Sequence, residues 1–178
     1  MTAAPTLETS RLLLRDYRLD DFDAYAGMWA DPAVVRFIGG VPFSRDVSWT
    51  RFLRHAGMWR FMGFGFFVIE DRASGRFLGE CGFQEARRQI TPSLEGTLEA
   101  GWSLVPEAHG QGLATEAMQA ALAWAESAHA GRRVTCMIDQ DHVASQRVAA
   151  KLGFAQFTAA PFGGKTALLF EHAPTRRT

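Results

Sequence analysis

Gly110 and Gly112 stand two apart in PEAHGQGLATEA (106–117), directly ahead of a run that reads as helix. Glycine costs backbone entropy on folding, so such a pair marks a tight turn or a close approach by something else. A strand, a glycine loop and a helix start together form a general anion site. The first helical N–H groups lack partners within the helix, and the dipole adds roughly half a positive charge at that end. With no Cβ at 110 and 112, a phosphate can reach these amides without a lysine. Two familiar phosphate motifs are imitated. In GQGLAT, Thr115 stands where G-x-G-x-x-G needs its third glycine, and no acidic residue is obvious about 20 positions on. AAPFGGKT (159–166) fits a relaxed P-loop with Ala159 for the first glycine, which would make the chain an NTP-binding protein. A P-loop must open a helix, however, and TALLFEH reads as strand, so a hairpin turn is the better reading. Cys81 and Cys136, the only cysteines, are too few for a disulfide framework or a four-cysteine zinc site. Their apolar strand contexts favour inert core thiols over an acyl-cysteine path, and no metal site is expected.

The elements that must position this loop follow from periodicity. RLLLRDY (11–17) reads as a strand, and Asp20 or Asp21 caps a helix over about 21–30 with Phe22, Tyr25 and Trp29 on one face. Asp31-Pro32 breaks it. Ser44 looks like an N-cap for a second helix, in which Trp49, Phe52, Leu53, Ala56 and Trp59 keep helical spacing. Strands over 65–71 and 76–83 flank the turn Ala73-Ser74-Gly75, and a polar loop (84–96) leads to a strand over 97–105. A helix over about 112–128 buries Ala117, Ala121, Leu122 and Trp124. A strand (132–138), a helix (143–152) ended by Gly153, and strands over 154–158 and 166–171 complete the order. The tail, about 173–178, reads as disordered. Antiparallel strands followed by a βαβ crossover predict an α/β (α+β) domain: a mixed, mostly antiparallel twisted sheet with helices on both faces.

The chain has 178 residues, suited to one domain with its own core. Its 47% hydrophobic and 21% charged residues are those of a soluble globular protein. Zero formal net charge points to no nucleic acid or anionic membrane. No apolar run approaches the roughly 18 residues of a membrane span, and the start has no signal-peptide pattern, so a cytoplasmic protein is expected. Fourteen Phe and five Trp read as an aromatic core, or as an apolar wall for a ligand.

EAGWSLVPEAHGQGLATEAMQAALAWA, followed by DHVASQRVAAKLGF, resembles the GCN5-related N-acetyltransferases (GNAT), and LETSRLLLRDY matches the branch that acetylates N-termini of ribosomal proteins. The resemblance spans Leu7 to Phe154 and implies the mixed sheet read above. It also implies acetyl-CoA as acetyl donor. The family pyrophosphate loop, Q/R-x-x-G-x-G/A, falls on His109, Gly110, Gln111, Gly112, Leu113 and Ala114, with Thr115 next on the helix. His109 departs from the usual Gln or Arg, which leaves the backbone logic intact. Ser103, Leu104 and Val105 would offer backbone groups to the pantetheine arm. His142 stands where the family often has Asn and can still donate one hydrogen bond to the cofactor. Ser145 falls near the expected sulfur.

For chemistry, the resemblance makes Glu99 the candidate general base, acting through a water, with Glu80 second. A backbone N–H near Leu104 or Val105 would bind the oxyanion. Ser145 would donate to the leaving thiolate, or serve only as a helix N-terminal residue. Many family members use a tyrosine as acid; Tyr17 and Tyr25, both in the first helical region, are poorly placed for that. The acceptor, a protein N-terminus or a small amine, is expected over the 44–63 helix and the 84–96 loop, where Arg87, Arg88 and Glu95 are candidates to face it. The alternative is a catalytically silent CoA-binding sensor. Exposed Trp or Phe on the early helices would suit a homodimer contact.

Overall fold

Eight strands make one sheet in the order β1-β2-β3-β4-β5-β6-β8-β7. They are β1 (Leu7–Glu8), β2 (Leu12–Arg15), β3 (Phe66–Asp71), β4 (Phe77–Gln84), β5 (Leu98–Leu104), β6 (Val134–Asp139), β7 (Phe154–Phe162) and β8 (Lys165–His172) in a computed structural model that describes residues 3–173. The helices are α1 (Phe22–Trp29), α2 (Pro32–Val35), α3 (Arg45–Met62), α4 (Leu113–Ala128) and α5 (Val143–Lys151). All neighbouring strands are antiparallel except β5 and β6. This is the mixed, mostly antiparallel sheet that the order of elements predicts.

Side chains alternate across a strand, so each face of the sheet carries its own set. Phe67, Ile69, Cys81 and Phe83 join Leu113, Ala117, Met118, Ala121 and Leu122 of α4 in the main core. Phe66 and Glu80 belong to the opposite face, where His55 of α3 stacks on Phe66 at 4.4 Å. A second apolar cluster there holds Tyr25, Met28, Trp29, Val34, Val35 and Phe52. Burial of this kind contributes roughly 25 cal/mol per Å² of apolar surface, the dominant favourable term in folding. In β4, Gly79 and Gly82 have φ of 146°. A Cβ there would sit 2.2 Å from Ser103 O and 2.3 Å from Gly65 O, so only glycine lets β4 lie between its neighbours.

Several local expectations change. The structure adds β1, which pairs with β2. Asp31-Pro32 ends α1 but also starts α2: the Asp31 side chain accepts from Ala33 N, with Pro32 at the first helical position. Ser44 precedes α3 without capping its backbone; its hydroxyl donates to Asp46 instead. The buried stripe of α3 is Ser48, Phe52, His55 and Trp59, while Trp49 and Leu53 are exposed. Trp124 is only half-buried. β7 runs on to Phe162, accommodating Pro161 because it is an edge strand. The P-loop look-alike is the hairpin turn at Gly163-Gly164 between β7 and β8. Residues 174–178 of the expected disordered tail lie outside the described residues.

Candidate active site

β5 and β6 pair only at Leu98↔Val134 and Glu99↔Thr135, then part. On the other side β5 stays bound to β4 through Leu104↔Gly79, and Val105 N donates to Leu78 O at 2.9 Å. Antiparallel pairing alternates, so the amides of Ser103 and Gly101 also face β4. The amide of Ala100 is spent on the last rung to Thr135, so those of Trp102 and Leu104 face the gap left by β6. A cavity of about 310 Å³ fills that gap, walled by Ala100, Gly101, Trp102 and Ser103 on one side and Cys136, Met137, Ile138 and Asp139 on the other. A second cavity, of about 320 Å³, shares Ile38, Trp102, Ser103, His142 and Ser145 with it and reaches Gly110, Gly112, Leu113, Ala114 and Thr115.

The glycine loop ends at this second cavity. Gly112 is the N-cap of α4 with φ 76°, and Gly110 has φ 73°. These left-handed conformations require glycine. No protein atom lies within 4 Å of a Cβ placed at Gly110. The first helical bond runs from Glu116 N to Gly112 O, which leaves the amides of Leu113, Ala114 and Thr115 without helical acceptors. The loop is clamped from the first hairpin: Arg11 Nη1 donates to Gln111 O at 3.1 Å, and Glu116 accepts from Thr9, Ser10 and Arg11. Desolvation opposes the Glu116 carboxylate, but these donors hold its pKa below the usual range. His109 Nε2 donates to Leu104 O at 2.9 Å, so its ring ties the loop to the end of β5. Gln111 turns away to donate to Glu107 O, and neither it nor Val105 lines the cavity.

Ser145, in the first turn of α5, and His142, its N-cap, line both cavities. The His142 ring stacks on Phe37 at 4.3 Å, and burial lowers its pKa against the opposing pull of Asp139. Glu99 is buried on the wall of the first cavity. It accepts from Gln84 Nε2 at 3.0 Å and from Arg88 at 2.8 and 3.2 Å. A carboxylate has about four lone-pair sites, so room for a water remains. Glu80 lines neither cavity. It is fully buried and takes hydrogen bonds from Tyr17 OH and from His55 Nδ1 at 3.0 Å, with Arg51 at 3.5 Å. Burial alone would raise its pKa, but His55, Arg51 and Tyr17 reverse this and hold it at about 2. Arg54 Nη2 points at His55 Nε2 at 3.2 Å, which fits a neutral ring with its proton on Nδ1, and burial lowers the His55 pKa. Tyr17 follows β2 rather than sitting in a helix, and burial pushes both tyrosine pKa values up. Burial likewise raises both cysteine thiols, although Cys136 lines the first cavity.

Of the residues expected to face an acceptor, Arg88 lines the first cavity, whereas Arg87 is exposed and pairs with Glu85, and Glu95 is exposed. The sequence reading did not single out Arg51, Trp102, Arg147 or Lys151, all of which line a cavity. The i, i+4 spacing of Arg147 and Lys151 after Ser145 was the available signal for two cations beside an anion site. Lys165 of the P-loop look-alike binds Asp139 at 3.0 Å. Among the described residues no cluster of three metal-ligating side chains occurs, and no helix is long and apolar enough to cross a membrane.

An α/β domain with a helix start of free amides beside a parted pair of strands can hold a long ligand with an anionic end. Residues 11–155 match the model of the acetyltransferase (GNAT) domain, and the chain belongs to that family. It is similar to a putative GnaT-family acetyltransferase from Bordetella pertussis, 34% identical with a TM-score of 0.85, covering 96% of this chain and 100% of the other. An uncharacterized N-acetyltransferase, p20, of Bacillus licheniformis is 27% identical over 84% of this chain and 82% of its own. RimL, a ribosomal L7/L12 α-N-protein acetyltransferase solved in complex with coenzyme A, shares the fold. Its TM-score is 0.75 at 15% identity, covering 94% of this chain and 97% of that one.

Proposed function

We propose that the protein is an acetyl-CoA-dependent N-acetyltransferase that moves an acetyl group to a primary amine by direct attack in a ternary complex. The observation that carries this reading is the continuous path from the free amides at the α4 start to the gap between β5 and β6. Gly110, Gly112, Leu113, Ala114 and Thr115 would hold the pyrophosphate through the backbone, with Arg147 and Lys151 adding charge nearby. His109 ties the loop to β5 from the cavity wall, and Gln111 supports it from outside. The outward amide of Trp102 would pair with the pantetheine arm as a strand does, with Ser103, Leu104 and His142 beside it. The Val105 amide is already committed to Leu78, so its part is to anchor β5.

Acetyl-CoA supplies an activated acetyl group: a C–N bond forms, the C–S bond breaks, the amine gives up a proton and the sulfur takes one. Glu99 accepts the amine proton through a water on its remaining lone pair, with Arg88 and Gln84 fixing its orientation. The Leu104 N–H is the backbone donor best directed at a developing oxyanion, since Val105 is not free. Ser145, on the wall of both cavities, would donate its hydroxyl proton to the thiolate. Calorimetric titration with acetyl-CoA, followed by turnover with a panel of amines, tests the reading. Glu99→Gln should keep acetyl-CoA affinity within about twofold and lower kcat by roughly 10²–10³. Binding with no turnover on any amine would leave the silent CoA-binding module instead; no binding would remove both.

A further inference from the structure

Three cations line the first cavity: Arg51, Arg88 and Lys165. Two of them are matched by carboxylates of the same wall, Arg88 by Glu99 at 2.8 Å and Lys165 by Asp139 at 3.0 Å. Arg51 is not. Its one charged contact, with Glu80 Oε1, is 3.5 Å long, and that carboxylate lies behind the wall where Tyr17 and His55 already use its other oxygen. Arg51 Nε and Glu80 Oε1 are both buried without a hydrogen-bond partner. Tyr25 OH and Trp29 Nε1 are also unpartnered, and Arg51 lies over the Trp29 ring at 4.1 Å. Native interiors leave few such groups unsatisfied, and here they gather around one guanidinium. Arg51 Nε is shut off from solvent, but the Arg51 side chain is 20% exposed elsewhere and lines the cavity.

A guanidinium with spare donors recognises a planar anion through two parallel hydrogen bonds. The same cavity presents the Glu99 carboxylate and apolar walls from Phe37, Ile38, Phe66, Trp102, Met137 and Phe162. We propose that the acceptor is a small primary amine carrying its own carboxylate and an apolar side chain, of amino-acid size, with Arg51 as the carboxylate receptor. This rests on the transferase reading above and chooses within it. The amine end lies toward Glu99 and the carboxylate toward Arg51, so the cavity complements a zwitterion. A polypeptide N-terminus has an uncharged peptide carbonyl where this acceptor has its anion.

The test compares leucine and phenylalanine with leucinamide, phenylalaninamide and a leucine-led tripeptide amide, measuring kcat/KM at saturating acetyl-CoA. The wild-type protein should favour each acid over its amide by about tenfold or more, because the amide leaves the guanidinium partly unpaired. Arg51→Lys keeps a cation beside Glu80 and loses the planar fork; it should reduce that ratio at least about fivefold through KM. Equal or better turnover of the amides or the tripeptide overturns the proposal while leaving the transferase intact. So does an acid preference untouched in Arg51→Lys. Acetyl-CoA binding with turnover of none of these probes overturns it as well, whereas failure to bind acetyl-CoA removes the transferase reading with it.

Discussion

Position 114 separates ligand binding from folding. Ala114 lies in the first turn of α4 and lines the second cavity. A carboxylate there is favourable to the helix, since negative charge complements the dipole at its N-terminus. The same carboxylate occupies the place where an anionic ligand would meet the free amides of Leu113, Ala114 and Thr115. Ala114→Asp should therefore weaken acetyl-CoA binding about tenfold or more while leaving the melting temperature unchanged or slightly raised. Calorimetry and a thermal melt on the same sample check this, and affinity retained in the variant would mean that the helix start holds no anion. Gly112→Val is a poorer probe. Its φ of 76° strains any branched side chain, so fold and ligand would suffer together.

At the scale of elements, the first hairpin is a brace for the loop. Thr9, Ser10 and Arg11 reach Glu116, and Arg11 also reaches Gln111 O, so the turn between β1 and β2 fixes the glycine loop and the first turn of α4 behind it. Arg11 is half-exposed, and an exposed ion pair contributes only about 0–1 kcal/mol to stability. Its removal should instead appear in the ligand. Arg11→Ala is expected to raise the acetyl-CoA dissociation constant by about three- to tenfold with a small fall in melting temperature, because the loop must then be ordered on binding. An unchanged constant would leave the clamp with a purely structural part. The clamp also shows what a sequence conceals. The glycine loop was legible because its residues are neighbours and its logic is local. The strand meander and the crossover were legible from alternation and turn residues. The clamp joins residues more than 100 positions apart, which no periodicity reports. The inward stripe of α3 was hidden for another reason: Ser48 and His55 occupy buried positions where an apolar pattern expects hydrocarbon. His55 faces Tyr17 and Glu80, contributed by other elements. Arg51, on that same helix, therefore carries no signal in the sequence that it lines a cavity.

For the whole molecule, the polar cluster under α1 and α3 ties stability to pH. Glu80 is held at about 2, far below an unfolded glutamate near 4.3. A depressed carboxyl contributes stability that is complete above its unfolded value and is lost as pH falls toward its folded value. His55 has the same sign: its folded pKa lies below the unfolded value near 6.5, so the unfolded chain binds the extra proton first. Stability should hold from about pH 8 to 7, begin to fall below about 6.5 as unfolded His55 takes up its proton, and fall more steeply below about 4.3. Urea midpoints measured across this range supply the curve. Surface carboxylates with lowered values, such as Asp71 and Glu171, add the same sign under solvent screening, so a variant must isolate the buried one. Glu80→Gln removes the buried charge that Tyr17 and His55 hydrogen-bond and that lies near Arg51, and should cost about 3 kcal/mol or more at pH 7. Its remaining stability should then change less than the wild type's between about pH 4.3 and 2, since the group that titrates there is gone. If the two curves run parallel through that window, Glu80 does not carry its charge in the folded protein. Arg51 would then lack even its one distant carboxylate, and the cluster would have to be rebuilt around a neutral carboxyl.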